Sequence, residues 1–387
     1  MKLRSMALAT LLACSGSAFA QSTVTLYGVA DINIEYVNHV GAIPTAANQF
    51  NPGAAHSVFR MDSGGVSGSR WGLRGTEDLG NGVKALFVLE NGFSLDSGAL
   101  QQQSRLFGRQ AYVGVQSSSL GQITLGRQYT SIFEALANFV PGAYATQYEP
   151  AALLTGANFR EDNTVKYTGQ FGPVTALAHY SFGTGLALPA FVGVATPIGG
   201  NGEVPGQARR DSAYGAALAY TQGPFGVTAG YDQWNPTIGT SSGTARKAVI
   251  AASYAYGPAK VMGGYRWGQS KNAADVLIGR DDFYWIGAAY QVTPAVALSL
   301  EYDYDNLKNQ FGNTSLANPW QVAFIANYAF SKRTDVYLST AYAKNAGLAL
   351  DSASNFYATS LATGNSYALP NGKNSMLGAA VGVRHKF

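Results

Sequence analysis

Charge is scarce in this 387-residue chain: Asp, Glu, Lys and Arg make up 12% of it, about half the roughly 25% usual in a soluble domain. Long hydrophobic runs are missing too. After residue 20 no stretch approaches the length of apolar sequence that a bilayer-crossing helix needs, which excludes transmembrane helices. Cysteine is nearly absent, Cys14 being the single one. A disulfide framework is therefore excluded, and if Cys14 leaves with a leader, so are thiolate catalysis and thiolate metal binding. A formal net charge of +4 is too small to argue for nucleic-acid binding. No Pro/Ser linker, charge block or compositional break divides the chain. What the chain does have is 46 Gly, 23 Tyr and a mean hydropathy near zero, so its hydrophobicity must be delivered by alternation.

The first residues, "MKLRSMALATLLACSGSAFA", set Lys2 and Arg4 before a short apolar core and end on Ala18-Phe19-Ala20. That layout is a secretory signal peptide over residues 1–20, with a single mature domain over 21–387. Leu11-Leu12-Ala13-Cys14 also has the form of a lipoprotein cleavage box, but the small-residue site lies downstream and a strand pattern begins soon after it.

Period-two alternation fills the rest. Val24, Leu26, Ile32, Ile34 and Tyr36 alternate with Thr25, Tyr27, Asp31, Asn33 and Glu35. Val296, Leu298, Leu300, Tyr302 and Tyr304 alternate with Ser299, Glu301, Asp303 and Asp305. Neither segment holds helical spacing, so both read as strands. Short turns such as "EDLGNG", "TQGP" and "VTP" interleave with longer polar loops near 38–66, 91–104, 130–162, 183–211, 235–245, 269–281, 306–318 and 345–374. Strict alternation of short and long connections predicts sixteen antiparallel strands with every long loop at one end. This is an all-β, outer-membrane β-barrel pattern with short periplasmic turns and long external loops. Tyr27, Tyr36, Tyr265, Trp267, Trp285, Trp320 and Tyr342 lie near strand ends, where interface girdles belong.

Several ordered motifs carry a family likeness: "STVTLYGVAD" at 22–31, "SRWGLRGTEDLGNGVKALFVLE" at 69–90, "FGRQAYVGV" at 107–115, "ITLGRQYT" at 123–130, "DNTVKY" at 162–167 and the final "VGVRHKF". The chain resembles a general porin of Gram-negative bacteria, of the beta-proteobacterial trimeric type. The resemblance implies a homotrimer in the outer membrane with a pore through each subunit and a third loop folded inward. It implies passive diffusion of ions and small hydrophilic solutes, without cofactors. The terminal Phe387 resembles the signal read by the outer-membrane assembly machinery, with His385 interrupting an otherwise apolar alternation.

Function in such a barrel follows from what narrows and charges the lumen. The segment 131–160 is apolar for an external loop, which suits a segment packed inside the wall, and "SIFEALANF" within it predicts a short helix. Its acids Glu134 and Glu149, with Glu161 and Asp162 beside the next strand, are candidates for one side of a constriction. Arg70, Arg74, Lys84 and Lys166 stand on the less apolar side of their strands and are candidates for the other, since a cation facing lipid at mid-bilayer costs about 2–4 kcal/mol. Arg109 and Arg127 join them from the family-like motifs. Arg127, however, shares parity with Ile123 and Leu125, which requires a bulge there or a position beyond the lipid band.

The rival readings are weaker. His39, His56, His179 and His385 form no spaced metal motif, and no acid/base set stands out for an enzyme. The Asp281-Asp282 and Asp303/Asp305 pairs lack EF-hand spacing. An adhesin or receptor barrel with a closed lumen, or a solute-specific porin, is the remaining alternative.

Overall fold

The computed structural model describes residues 23–43, 46–49, 51–188, 198–238, 241–345, 348–350 and 367–387. The expected signal peptide over residues 1–20, with Cys14 in it, lies outside the described residues. The first half of the barrel is built from β1 (Thr23–Val40), β2 (His56–Ser63), β3 (Arg70–Gly80), β4 (Val83–Gly92), β5 (Gln110–Ser117), β6 (Gly121–Tyr129), β7 (Arg160–Phe171) and β8 (Val174–Ser181). Two short loop strands follow, β9 (Ala187–Leu188) and β10 (Ile198–Gly199). The wall resumes with β11 (Ala213–Gln222) and β12 (Phe225–Trp234), and β13 (Thr237–Ile238) and β14 (Ser241–Ser242) complete a small four-stranded loop sheet with β9 and β10. The remaining wall strands are β15 (Thr244–Tyr256), β16 (Ala259–Lys271), β17 (Leu277–Thr293), β18 (Val296–Gln310), β19 (Trp320–Ala329), β20 (Thr334–Lys344) and β21 (Ser375–Lys386).

Each wall strand pairs antiparallel with the next, and β21 pairs back onto β1, closing the ring. β2 and β3 occupy one barrel position: the outer half of β1 pairs with β2 and the inner half with β3. The closed barrel thus has sixteen strands. Between β2 and β3 the chain turns inward at residues 64–69, where the Asp31 carboxylate accepts the backbone N–H groups of Gly65, Val66 and Ser67 at 3.0, 3.2 and 2.8 Å.

Alternation decides which side each residue faces, because lipid accepts one sign of polarity and water the other. Val24, Leu26, Ile34 and Tyr36 are exposed while Asp31, Asn33 and Glu35 are buried. On β18, Leu300 and Tyr302 face out while Glu301, Asp303 and Asp305 face in. β16, β17 and β18 extend farther toward the loops than alternation alone suggests, so the sixth loop shrinks to 272–276 and the seventh to 311–319. At the seam, the backbones of Gly28 and Phe387 exchange hydrogen bonds at 3.0 and 3.1 Å. A side-chain carbon on Gly28 would come within 2.2 Å of the Phe387 ring, so only glycine fits there.

The third loop contains α1 (Ser131–Leu136) and α2 (Ala151–Thr155). Thr130 caps α1 by accepting the Phe133 N–H on its hydroxyl. Ile132, Leu136, Phe139, Val140, Leu153 and Leu154 of this loop pack on Val249 and Ala251 of β15 and on Phe283 and Trp285 of β17. The Trp285 indole N–H donates to the Phe139 carbonyl at 2.9 Å. The loop therefore lies inside the barrel, its apolar face against the β15–β17 wall, and the open water path is pushed toward β3–β7.

Candidate functional site

Opposite the sealed wall, a pocket of about 330 Å³ is left between the loop and strands β3 to β7. Arg70, Arg109 and Arg160 line one side of it; Phe133, Tyr144 and Glu149 of the inward loop line the other. Position follows from chain geometry. Arg70 is the first residue of β3, Arg109 directly precedes β5, and Arg160 is the first residue of β7, so three strands deliver their cations at one height.

A continuous network holds the guanidinium groups. Arg109 Nε donates to Glu90 Oε1 at 2.7 Å, and its Nη2 donates to the Tyr129 hydroxyl at 2.9 Å. That hydroxyl also accepts Arg160 Nη2 at 3.2 Å. Arg70 Nε lies 3.8 Å from Glu90 Oε2, which accepts the Tyr27 hydroxyl at 3.0 Å. One carboxylate thus braces two of three arginines. Tyr129, Phe133 and Tyr144 form a stack with centroid spacings of 4.4 and 4.3 Å. Arg160 lies 4.8 Å over Tyr129 and 4.6 Å over Phe159, a cation–π arrangement that fixes the guanidinium without cancelling its charge.

The loop acids do not oppose the arginines as the sequence suggested. Glu134 is spent on Lys166, 2.6 Å away, and Lys166 also donates to the Tyr129 carbonyl at 2.8 Å while only 2% exposed at its side chain. Glu149 accepts the Gly142 N–H at 3.2 Å. Burial, reinforced by the adjacent Glu301 and Asp303, raises the Glu149 carboxyl well above the usual carboxylate range. Its neutral form is thereby favoured beside the pocket. Glu161 is fully buried against His179 and Asp232, behind the loop rather than in the open path.

Four further sequence candidates lie elsewhere. Arg127 and Asp162 pair with each other at 2.7 Å, Arg105 joins Asp162 at 2.7 Å, and Arg127 Nε donates to the Gly108 carbonyl at 2.7 Å. None of the three lines the pocket. The register shows why. Gly126 pairs Thr164 but Gln128 pairs Glu161, so the extra residue sits in β7, where Asn163 adopts φ 51°. The irregularity is in the partner strand, and Arg127 stays on the side of Ile123 and Leu125. Arg74 stacks on Tyr27 at 5.3 Å, four residues or roughly 13 Å below Arg70. Lys84 pairs with Asp78 beside the short β3–β4 turn. Arg160, which the sequence reading treated only as a loop end, is the cation it overlooked; its signal was its place where the inward loop rejoins the wall.

Glu161, His179 and Asp232 bring three possible metal-ligand atoms within 4.8 Å of one another. Their surroundings suit a structural anchor instead. The Ser131 N–H lies 3.2 Å from His179 Nδ1, and His179 Nε2 lies 3.3 Å from a carboxylate oxygen of each acid. Asn158 donates to Glu161 Oε1 at 2.6 Å and Asp232 Oδ1 at 3.1 Å. Ser131 and Asn158 belong to the two ends of the inward loop, so the cluster pins both.

The comparison with known proteins agrees with this architecture along almost its whole length. The family model described as Gram-negative porin matches residues 7–348. The chain belongs to that family. An outer membrane porin protein of Bordetella pertussis is 32% identical to this porin over 100% of both chains. Outer membrane porin protein 32 of Delftia acidovorans is 31% identical over 97% of each. Among solved structures, an anion-selective porin from Comamonas acidovorans superposes with a TM-score of 0.72 at 25% identity, covering 95% of this porin and 100% of that chain. A trimer form of OmpT from Vibrio cholerae shares the fold, with a TM-score of 0.62 at 16% identity over 95% and 99% of the two chains. This porin is an outer-membrane β-barrel that forms a passive channel, with the arginine-lined pocket beside its inward loop.

Proposed function

We propose that the channel prefers anions and that Arg70, Arg109 and Arg160 set this preference. The observation that carries it is the charge around the pocket: three guanidinium groups face two carboxyl groups, Glu90 and Glu149, and burial favours the neutral form of Glu149. A fixed excess of positive charge in a narrow water path raises the local concentration of anions and lowers that of cations. The anion-selective porin to which this chain is similar supports the same reading. Lys166 and Glu134 neutralise each other at the foot of the loop and contribute positioning rather than field.

The same reading makes the protein a homotrimer of passive channels without catalysis, cofactor or energy coupling. Exposed Val113, Val115, Ile123 and Leu125 on β5 and β6 supply an apolar outer face for subunit contact, and OmpT in its trimer form supports the stoichiometry. Phe387, held at the seam, supplies the aromatic end of the last strand for the assembly machinery.

The deciding experiment is reversal potential in a salt gradient across a planar bilayer, using the native protein. The expected sign is that of anion permeation, reached through three equal conductance steps per insertion. A cation-selective reversal potential would overturn the assignment, and absence of conductance from folded protein would favour the closed adhesin-like barrel.

A further inference from the structure

The inward face of β17 and β18 holds a carboxylate that the rest of the barrel leaves unanswered. Asp305 is fully buried, and neither of its side-chain oxygens has a hydrogen-bond partner. The charges around it are already matched. Phe283 pairs with Asp305 and Asp281 with Leu307, so the two acids are diagonal neighbours on one face. Asp281 is taken by Arg266, which bonds both of its oxygens at 2.6 and 2.7 Å. Arg280 and Lys308 turn to the opposite face, where they meet Asp282 at 2.7 and 2.5 Å. Among the described residues no ion pair reaches Asp305, so one carboxylate is left over.

That carboxylate borders a pocket of about 30 Å³ at the loop end of the two strands, together with Ser270, Ile278, Leu307 and Phe311. Local backbone geometry makes the space. Asp281 pairs with Leu307 but Arg280 with Asn309, so Lys308 is an extra residue in β18, and a bulge of this kind bends the strand and re-aims its side chains. Phe311, just past the strand, adopts φ 52°, which is rare for an aromatic residue. Its N–H donates to the Ile278 carbonyl at 2.9 Å, folding the turn after β18 back onto β17. A side-chain carbon added to Gly279 would meet nothing nearer than Ser270 Cβ at 3.4 Å, so the space beside that glycine is open. The volume admits a group about the size of one or two water molecules, and most of the wall around it is apolar.

We propose that this pocket binds the ammonium group of a small aliphatic amine. A buried acceptor without a donor is costly, and a primary ammonium offers both oxygens of Asp305 a charged N–H donor at once. The first carbons of the amine then lie against Ile278, Leu307 and Phe311, which removes apolar surface from water on both sides. A divalent metal ion fits less well. Calcium takes about six to eight oxygen ligands, and a wall of isoleucine, leucine and phenylalanine cannot supply them. A quaternary ammonium has the charge but no N–H to donate, so the same carboxylate discriminates against it.

Ligand-observed NMR on the native protein in detergent micelles tests this, with butylammonium as the probe. Saturable binding is expected. Asp305→Asn keeps the shape of the side chain and removes its charge, and should weaken binding about tenfold or more, as for loss of a hydrogen bond between charged groups. Gly279→Val keeps the carboxylate and fills the space beside it, and should weaken binding in the same direction. Tetramethylammonium, which lacks N–H donors, and 1-butanol, which lacks the charge, should each bind about tenfold or more weakly than butylammonium. Neither substituted residue borders the arginine-lined pocket, so retained conductance in planar bilayers shows that each variant folds. Absence of saturable binding to the native protein, undiminished binding to either variant, equal binding of tetramethylammonium, or displacement of butylammonium by equimolar calcium would overturn the proposal.

Discussion

The two inner walls of this porin are similarly rich in charge and differ in what those charges meet. Along β3 to β7 the guanidinium groups of Arg70, Arg109 and Arg160 border an open pocket. Along β15 to β18 the charges lie beneath the inward loop: Arg266 is fully buried and bonds both Asp281 oxygens at 2.6 and 2.7 Å. Charge on an inward strand position is thus a necessary sign of lumen and not a sufficient sign of pore. The inward loop decides between the two by covering one wall with Ile132, Leu136 and Phe139.

The contrast is tested most severely on the sealed side. Asp281→Ala removes the two-point carboxylate partner of the buried Arg266 guanidinium and is expected to cost about 3 kcal/mol; thermal unfolding of the purified barrel reads it, and an unchanged transition would mean that water reaches this wall. Trp285→Ala removes both packing and the bond to the Phe139 carbonyl. A loss of roughly 3 kcal/mol is expected, together with larger, noisier conductance steps as the loop loosens.

On the open side the expected effects move to permeation. Arg160→Gln deletes one charge about 5 Å from a passing ion in water, worth about 0.8 kcal/mol for each sign of ion, so anion permeation falls and cation permeation rises by up to about fourfold each, with little change in unfolding temperature. Arg127→Gln, made as its counterpart outside the pocket, is expected to leave the reversal potential where it was. The smallest effect is in pH. Because the folded-state pKa of Glu149 is raised, the protonated folded form binds a proton more tightly than the unfolded chain does. Its contribution to stability is fully present below the ordinary value of 4.5 and is lost as pH rises through the raised value. Ionised Glu149 also offsets the arginines, so anion preference should drift downward over that same rise, and Glu149→Gln should flatten the drift in a pH series of reversal potentials.

The wall was readable because lipid enforces a period of two on every strand; β1 and β18 could be oriented residue by residue from the sequence. Loop height was less readable. β16 and β17 continue past positions where alternation weakens, since girdle and headgroup positions tolerate Gln269 and Arg280 on an outward face. The inward loop showed itself by composition and by the α1 pattern, but many of its partners are more than a hundred positions away, as with Glu149 beside Glu301. Parity holds for Arg127, because the bulge at Asn163 lies in the neighbouring β7 and leaves the spacing of β6 unaltered; the motif around it, not its parity, had pointed to the pore. Arg160 escaped notice because a strand's first residue has too little alternation around it to declare a side.

The Gly28–Phe387 seam has a consequence in time. Ile32 pairs with Val383 across nearly the whole length of the chain, and such distant contacts are the slowest to find. Until they form, β1 and β20 each present an unpaired row of backbone donors and acceptors, the kind of edge on which chains add to one another. The rate of that final pairing therefore sets how long the unfinished barrel is vulnerable to aggregation.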